Sequence, residues 1–481
     1  MVGKESKMKN KFIRKWLVIL TVAAMMIPAG IPANAETVEE GENIAPTAGI
    51  SAETPNVTAE TQKEEISAEM PDMTAETQNE EKSDVQAEGQ NQAKQGVLEA
   101  VRQNTEKAEE ASDAVDVQAE ERTAGEVQIG EQIYPTLTEA FAAAKDGDVL
   151  RLLENAEVSQ PILLTKNVTL DTNGFTVSAA AGFKGNFMFT NRGTFNIVGS
   201  GKIDGSVGTY PLIMINNTGG AVLNIQSSEI TGQGVVQNVG GIVNITGGTL
   251  TASARNTVLS QFGEVHIGAS AHLMAAGEGK SAVQLIGAKM TLSGDAVLSG
   301  NGGIDVFNSN RNEEGTVSAQ VEITGGRIET KDFPVSGNNQ ESAGAEVAIT
   351  GGSLKNISGG TAIYWPMEGQ LTIGGNAVIE GGTGIEAKMG TITIKDNAVI
   401  TGSGEWKEEK PQNGGANPEG SAFLGSAQMY DGCINDSSLV VNILGGTLKS
   451  VNGNAVTIYN TEEKSDVRAD ISVTGGSLQP A

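Results

Sequence analysis

The sequence predicts an all-β solenoid: one chain wound into about twelve coils of short parallel strands, with a helix over its first coil and a long acidic segment ahead of it. Three observations carry this reading. An apolar-x-apolar pair, a small polar turn and a further apolar residue recur about twelve times, mostly 20 to 31 residues apart. Glycine, 62 of the 481 residues, gathers at one phase of that pattern. The intervals hold about three short strands each and no helix, which coiling explains most simply, because each strand then pairs with its equivalent one turn on.

Composition narrows the function classes. With 59 acidic against 32 Lys and Arg residues, the net charge is -27, which argues against a nucleic-acid binder needing a basic face. One cysteine and two histidines cannot build a zinc site of four cysteines or of two cysteines and two histidines, and a lone cysteine makes no internal disulfide.

The elements follow in chain order. Lys4 to Lys15 is basic, Trp16–Ile27 is apolar, and Ala33-Asn34-Ala35 fits a small-x-small cleavage site. Residues 1–35 therefore read as a signal peptide, since the apolar run is shorter than the roughly 20 residues that span a bilayer. The expectation is an exported, extracellular protein with no transmembrane segment after cleavage, and with no cysteine to carry a lipid anchor. Residues 36–125 hold 23 acidic and 6 basic side chains and no aromatic, the composition of a disordered linker. Within them Ile50–Glu65 recurs as Ile66–Glu81, twelve of sixteen positions being identical. This segment reads as a solvated spacer or, more sharply, as a partner-binding tail.

Residues 126–481 form the predicted coil domain. Val127–Ile129 and Gln132–Tyr134 flank Gly130 and suggest a hairpin. In Pro135–Gly147, Thr136 or Thr138 can cap a helix whose Leu137, Ala140, Phe141 and Ala144 share a face, and Gly147 can end it. Asp148–Leu153 reads as a strand. The repeat then runs through close copies at Val243–Leu250, Val321–Ile328, Val347–Leu354, Val441–Leu448 and Ile471–Leu478. Looser copies start at Val168, Phe195, Leu223, Val265, Met290, Leu371 and Ile392. Alternation sends Val243 and Ile245 inward and Asn244 and Thr246 outward. The Gly-Gly pair permits the turn, Asn and Thr side chains are placed to ladder at the bends, and a third strand follows, as at Ala282–Ile286, Gly303–Phe307 and Ala455–Tyr459.

The opening stretch Tyr134–Val177, with Lys166–Gly174 at its signature position, resembles the start of right-handed parallel β-helix proteins of the pectate-lyase-like superfamily. The later copies are similar to those of adhesin-like surface proteins of Gram-positive bacteria. The resemblance implies a right-handed parallel β-helix and a cell-surface location in a Gram-positive bacterium. It does not fix function, because the superfamily hosts lyases, hydrolases and adhesins.

No catalytic, cofactor or metal residue is assigned. Polygalacturonase-like Asp clusters are missing, and Asp171, Asp204, Asp295, Asp305 and Asp396 do not fall at equivalent phases of neighbouring coils beside an Arg. Arg327 reads as a solvated turn residue, His266 as an outward, inert side chain, and Cys433 as a partnerless thiol. Glycan binding would use exposed aromatics with polar neighbours. Aligning third strands at Ile304, Ile363 and Val456 puts Asp305, Phe307, Tyr364 and Tyr459 in outward slots and turns Trp365 inward. Trp406 and Tyr430 lie in or near Gly402–Gly420, the one large departure from the period. The expected function is a structural or adhesive role, binding extracellular polysaccharide or cell-wall glycan. One alternative is a polysaccharide lyase or glycoside hydrolase with an unrecognised active site. The other is a calcium-dependent acidic-glycan module, the one reading that calls for a cofactor. The last copy ends three residues before Ala481, which predicts an incomplete chain or one that associates through its last coil.

Overall fold

The computed structural model describes residues 126–206, 211–311, 315–337, 344–406, 416, 419–427, 438–460 and 469–481. Residues 1–35 and 36–125, read from the sequence as signal peptide and acidic linker, lie outside them, as do Tyr430 and Cys433. The described residues belong to one compact unit, Val115–Ala481.

The chain winds through three long sheets, here A, B and C, in that order on each lap, the last described lap having strands in A and B. Sheet A holds parallel strands from Val149–Leu152 to Ala469–Val473. Sheet B runs from Ala156–Val158 to Ser477–Gln479, and sheet C from Ile162–Leu164 to Val456–Asn460. Among the described residues sheet A counts 15 strands, of which the antiparallel hairpin Val127–Ile129/Gln132–Tyr134 supplies two. The remainder exceeds the twelve coils suggested by the repeat because Val149–Leu152 opens a lap ahead of the first copy.

All twelve repeat starts, from Val168 through Val243 and Val347 to Ile471, fall into one inward column of sheet A. The alternation fixes this, because a one-residue slip would turn every apolar side chain out to water. Helix α1, Leu137–Ala143, closes the first lap. Thr136 Oγ1 accepts from Glu139 N at 3.2 Å as its N-cap, and Leu137, Ala140 and Phe141 are buried. Phe141 meets Phe189 and Phe195 edge-on, with centroids 5.9 and 6.0 Å away. On the last lap the inward column is open: Ile471, Val473 and Leu478 are 41, 49 and 43% exposed, where Val441, Ile443 and Leu448 one lap earlier are buried.

The two glycines of the repeated corner serve different ends. In Gly351-Gly352 the second has φ +82°, which a side chain disfavours. The first lies so close to the preceding lap that a Cβ would stand 2.4 Å from Thr324 O. A longer form of this corner uses Ala269, Gly294, Gly375 or Asp396 at positive φ and turns Ala271, Ala296, Ala377 and Ala398 inward.

Two ladders of amides join the laps. At the C–A corner Asn191, Asn217, Asn238 and Ser260 form a buried chain with links of 2.8, 2.9 and 3.0 Å. On the outer face of sheet A, Asn196, Asn224 and Asn244 link at 2.7 and 2.8 Å. Of the ladders expected at the bends, the Asn191 chain lies at one, whereas the Asn196 ladder runs over strand faces instead. Among the described residues, no helix is long and apolar enough to cross a membrane.

Candidate functional site

The corners differ in how much length they tolerate. Between strands of sheets A and B the chain always spends three or four residues. Between the described strands, every long connection falls instead at the B–C or C–A corner, at the two margins of sheet C. The longest joins Val399–Gly402 to Phe423–Ala427 through residues 403–422. Another, after Gly302–Phe307, carries the small antiparallel hairpin Ser309–Arg311/Gly315–Val317. Loops on a rigid frame are where recognition concentrates, so sheet C is the elaborated face.

Its outer surface has two parts. In the first, three successive laps present Leu259 and Gln261, Gln284 and Ile286, and Asp305 and Phe307, held in register. All six side chains are half-buried. Asp305 is fixed by two hydroxyls: Ser281 Oγ donates to Oδ2 at 2.7 Å and Ser336 Oγ to Oδ1 at 2.6 Å. Gln284 Oε1 accepts from Asn256 Nδ2 at 2.8 Å, which orients its amide.

In the second part the outward column continues through Ser336, Tyr364, Glu386, Leu424 and Thr457 but is closed to solvent. Tyr364 occupies the outward slot expected of it, yet it is 8% exposed and stacks on Phe333 with centroids 5.1 Å apart. It is therefore not an open platform. Lys388 Nζ lies 5.4 Å from the Tyr364 ring centroid and 3.8 Å from Glu386 Oε1, and both charged groups are fully buried. Thr361 Oγ1 donates to Glu386 Oε2 at 3.3 Å. Burial pushes the Lys388 ammonium down, against the opposing pull of Glu386. Nearby in sequence, Glu419 is 3% exposed where the chain re-enters the stack. Its N–H donates to Thr383 Oγ1 at 2.9 Å, Ser421 Oγ donates to its Oε1, and its Oε2 has no hydrogen-bond partner. Burial pushes its carboxyl up, against hydrogen bonds from Ser421 and Thr457.

These buried groups escaped the reading of the sequence. Glu386 lies in an outward slot of the third strand Thr383–Ala387 and Lys388 just past its end, places that are normally wet, so a charged pair there looks like a solvated face. Other candidates are placed as follows. Trp365 points inward and is fully buried. Tyr459 is half-buried on the strand Val456–Asn460. Trp406 is 37% exposed and lies against Gly453, where a Cβ would stand 2.8 Å from Cε3. His266 faces outward and its Nδ1 shares a 2.9 Å hydrogen bond with Thr291 Oγ1. His272 bonds Ser299 Oγ at 2.9 Å, and burial together with Arg327 pushes it down. Arg327 is exposed and pairs with Glu329 at 3.5 Å. Among the described residues no group of three or more His, Cys, Asp or Glu side chains comes together to hold a metal ion.

No family model, curated protein or solved structure matches this chain. The functional reading rests on the residues and their geometry.

Proposed function

We propose that the chain is an exported, cell-surface β-helix protein of structural or adhesive role, akin to the pectate-lyase-like and Gram-positive surface proteins its repeats resemble, and that it holds extracellular polysaccharide against sheet C. The observation that carries this is the confinement of every long connection to the two margins of that sheet. A corner kept at three or four residues on every lap is a joint; corners that accept many lengths border a working face. Export rests on the basic, apolar and small-x-small order of residues 4–35.

The test is retention. Full-length protein incubated with insoluble cell-wall and plant polysaccharides is expected to sediment with one of them and leave its chain length unchanged. Protein that keeps its β-sheet circular dichroism yet stays in the supernatant with every polymer would overturn the proposal.

A second reading has its own support. Shifted ionisable groups concentrate at catalytic sites, and Lys388, just after the sheet C strand Thr383–Ala387, is pushed down while Glu419, shortly before the sheet C strand Phe423–Ala427, is pushed up. A polysaccharide-active enzyme would use such groups as base and acid. New reducing ends or ultraviolet-absorbing unsaturated uronates, abolished by Lys388→Met, would move the assignment to this reading.

A further inference from the structure

We infer that the ligand class of sheet C is a neutral, linear polysaccharide lying along the solenoid axis over Leu259, Gln261, Gln284, Ile286, Asp305 and Phe307. This rests on the reading of sheet C as the glycan-holding face and goes on to name what it holds.

The arrangement is a two-column array. One column reads Leu259, Gln284, Asp305 and the other Gln261, Ile286, Phe307, lap by lap. Each lap therefore offers one apolar and one polar side chain, and the apolar one changes column between Leu259 and Ile286. A pyranose ring has the same division, with C–H faces that shed water onto apolar carbon and an equatorial rim of hydroxyls that need partners. Successive laps are about 4.8 Å apart, close to the advance of one sugar residue in an extended chain. Three laps thus match three consecutive sugars along the axis. A ligand crossing the sheet would meet only one lap.

The polar members are set before any ligand arrives. Ser281 and Ser336 hold the Asp305 carboxylate from either side, and Asn256 takes the Gln284 carbonyl oxygen, so that its amide N–H groups remain to serve as donors. Preset groups lose little freedom on binding.

Charge selects the neutral class. The single charge among the six is the Asp305 carboxylate, and the whole chain carries -27. A polyuronate would bring its carboxylates against both. Of the cations within four residues of the array, Arg255 and Lys280 lie in the turns before these strands, Lys289 opens the strand Lys289–Leu292 of sheet A and Arg311 lies on the hairpin after Phe307; the Arg255 stem packs along Gly234. Amides and one carboxylate suit hydroxyl groups; binding an acidic polymer calls for Arg or Lys on the array itself.

Affinity gel electrophoresis of the full chain tests this, with neutral polymers (a β-glucan, a xylan, a mannan) and polygalacturonate, each at low and high salt. Retardation by a neutral polymer is expected, changing less than about twofold with salt, since exposed charge attractions are what salt screens. Phe307→Ala and Gln284→Ala should each weaken it by at least about fivefold, with unchanged circular dichroism. His266→Ala on the outer face of sheet A should leave it intact. Preferential, salt-suppressed retardation by polygalacturonate would overturn the inference while leaving sheet C as the glycan-holding face. Retardation by a neutral polymer that survives both sheet C substitutions would overturn the site. No retardation by any polymer would remove the function on which the inference rests.

Discussion

Replacing Asn217 by Ala should cost far more than replacing Asn224, although both are asparagines in ladders that run from lap to lap. Asn217 is fully buried. Its Nδ2 donates to Ala221 O, Asn238 Oδ1 and Ile242 O at 3.1, 2.9 and 3.1 Å, and its Oδ1 accepts from Asn191 Nδ2 at 2.8 Å. Asn191 keeps its bond to Val222 O at 2.9 Å, and Ala221 O keeps the backbone N–H of Ile242. Asn238 Oδ1 loses the donor that Asn217 gave it. A buried acceptor stripped of a partner costs about 1–3 kcal/mol, and each further net hydrogen bond about 0.5–1.5 kcal/mol, so the total is about 3–5 kcal/mol. Asn224 is part-exposed, and water replaces its bonds to Asn196 and Asn244 when the side chain goes, so Asn224→Ala should cost less than about 1 kcal/mol. A stack of laps need not unfold as one unit, which makes native-state hydrogen exchange the suitable assay. The amides of Val222 and Ile242 should exchange faster by about two to three and a half powers of ten in Asn217→Ala, since 1.4 kcal/mol is tenfold. If both substitutions shifted exchange by the same factor, the distinction between a buried and a wet ladder would be wrong.

Three further outcomes are expected. Gly351→Ala should destabilise by about 1–3 kcal/mol in urea titration, as forced overpacking does, because its Cβ would meet Thr324 O at 2.4 Å; a loss under about 0.5 kcal/mol would count against this packing. Ala269 sits at φ +47°, so Ala269→Gly should relieve left-handed strain and raise stability by up to about 1 kcal/mol, and a lower melting temperature would contradict that account. Glu419 has a folded-state carboxyl raised above its unfolded value, so the folded chain takes up its proton more readily. The stability it contributes is present below the unfolded value, near 4.5, and is lost as pH rises through the raised folded value. Wild type minus Glu419→Gln should therefore fall on going from mildly acidic to neutral pH, read as exchange at the Ser421–Phe423 amides; a difference flat across that range would show that the carboxyl is not the titrating group.

The frame of the molecule is legible in the sequence because its rules are local. Alternation placed Val243 and Ile245 inward, and the third-strand alignment put Ile304, Ile363 and Val456 in one column, where Val335, Ile385 and Phe423 also stand. Thr136 and the Leu137, Ala140, Phe141 face were readable for the same reason. The candidate site was less so. Tyr364 was placed in the correct slot, but its burial depends on Phe333, which sits in a corner with no period to announce it. Leu259, Gln261 and Ile286 each look unremarkable alone, and only register sets them beside Asp305 and Phe307. Glu386 obeys the outward pattern and Lys388 lies in the corner after it, so nothing in their spacing betrays that water is excluded there.

The parallel pairing of lap on lap has a mechanical meaning. Backbone bonds between laps point along the axis, so tension applied from end to end strains those of a terminal lap before its neighbours feel the load. The molecule should then peel in steps, each releasing the chain of one lap, about 70–110 Å for the usual 20 to 31 residues. Single-molecule pulling should record a staircase of such extensions, and one abrupt rupture of the whole stack would contradict it. A stack that yields stepwise dissipates work at each step and can rewind when the load is released.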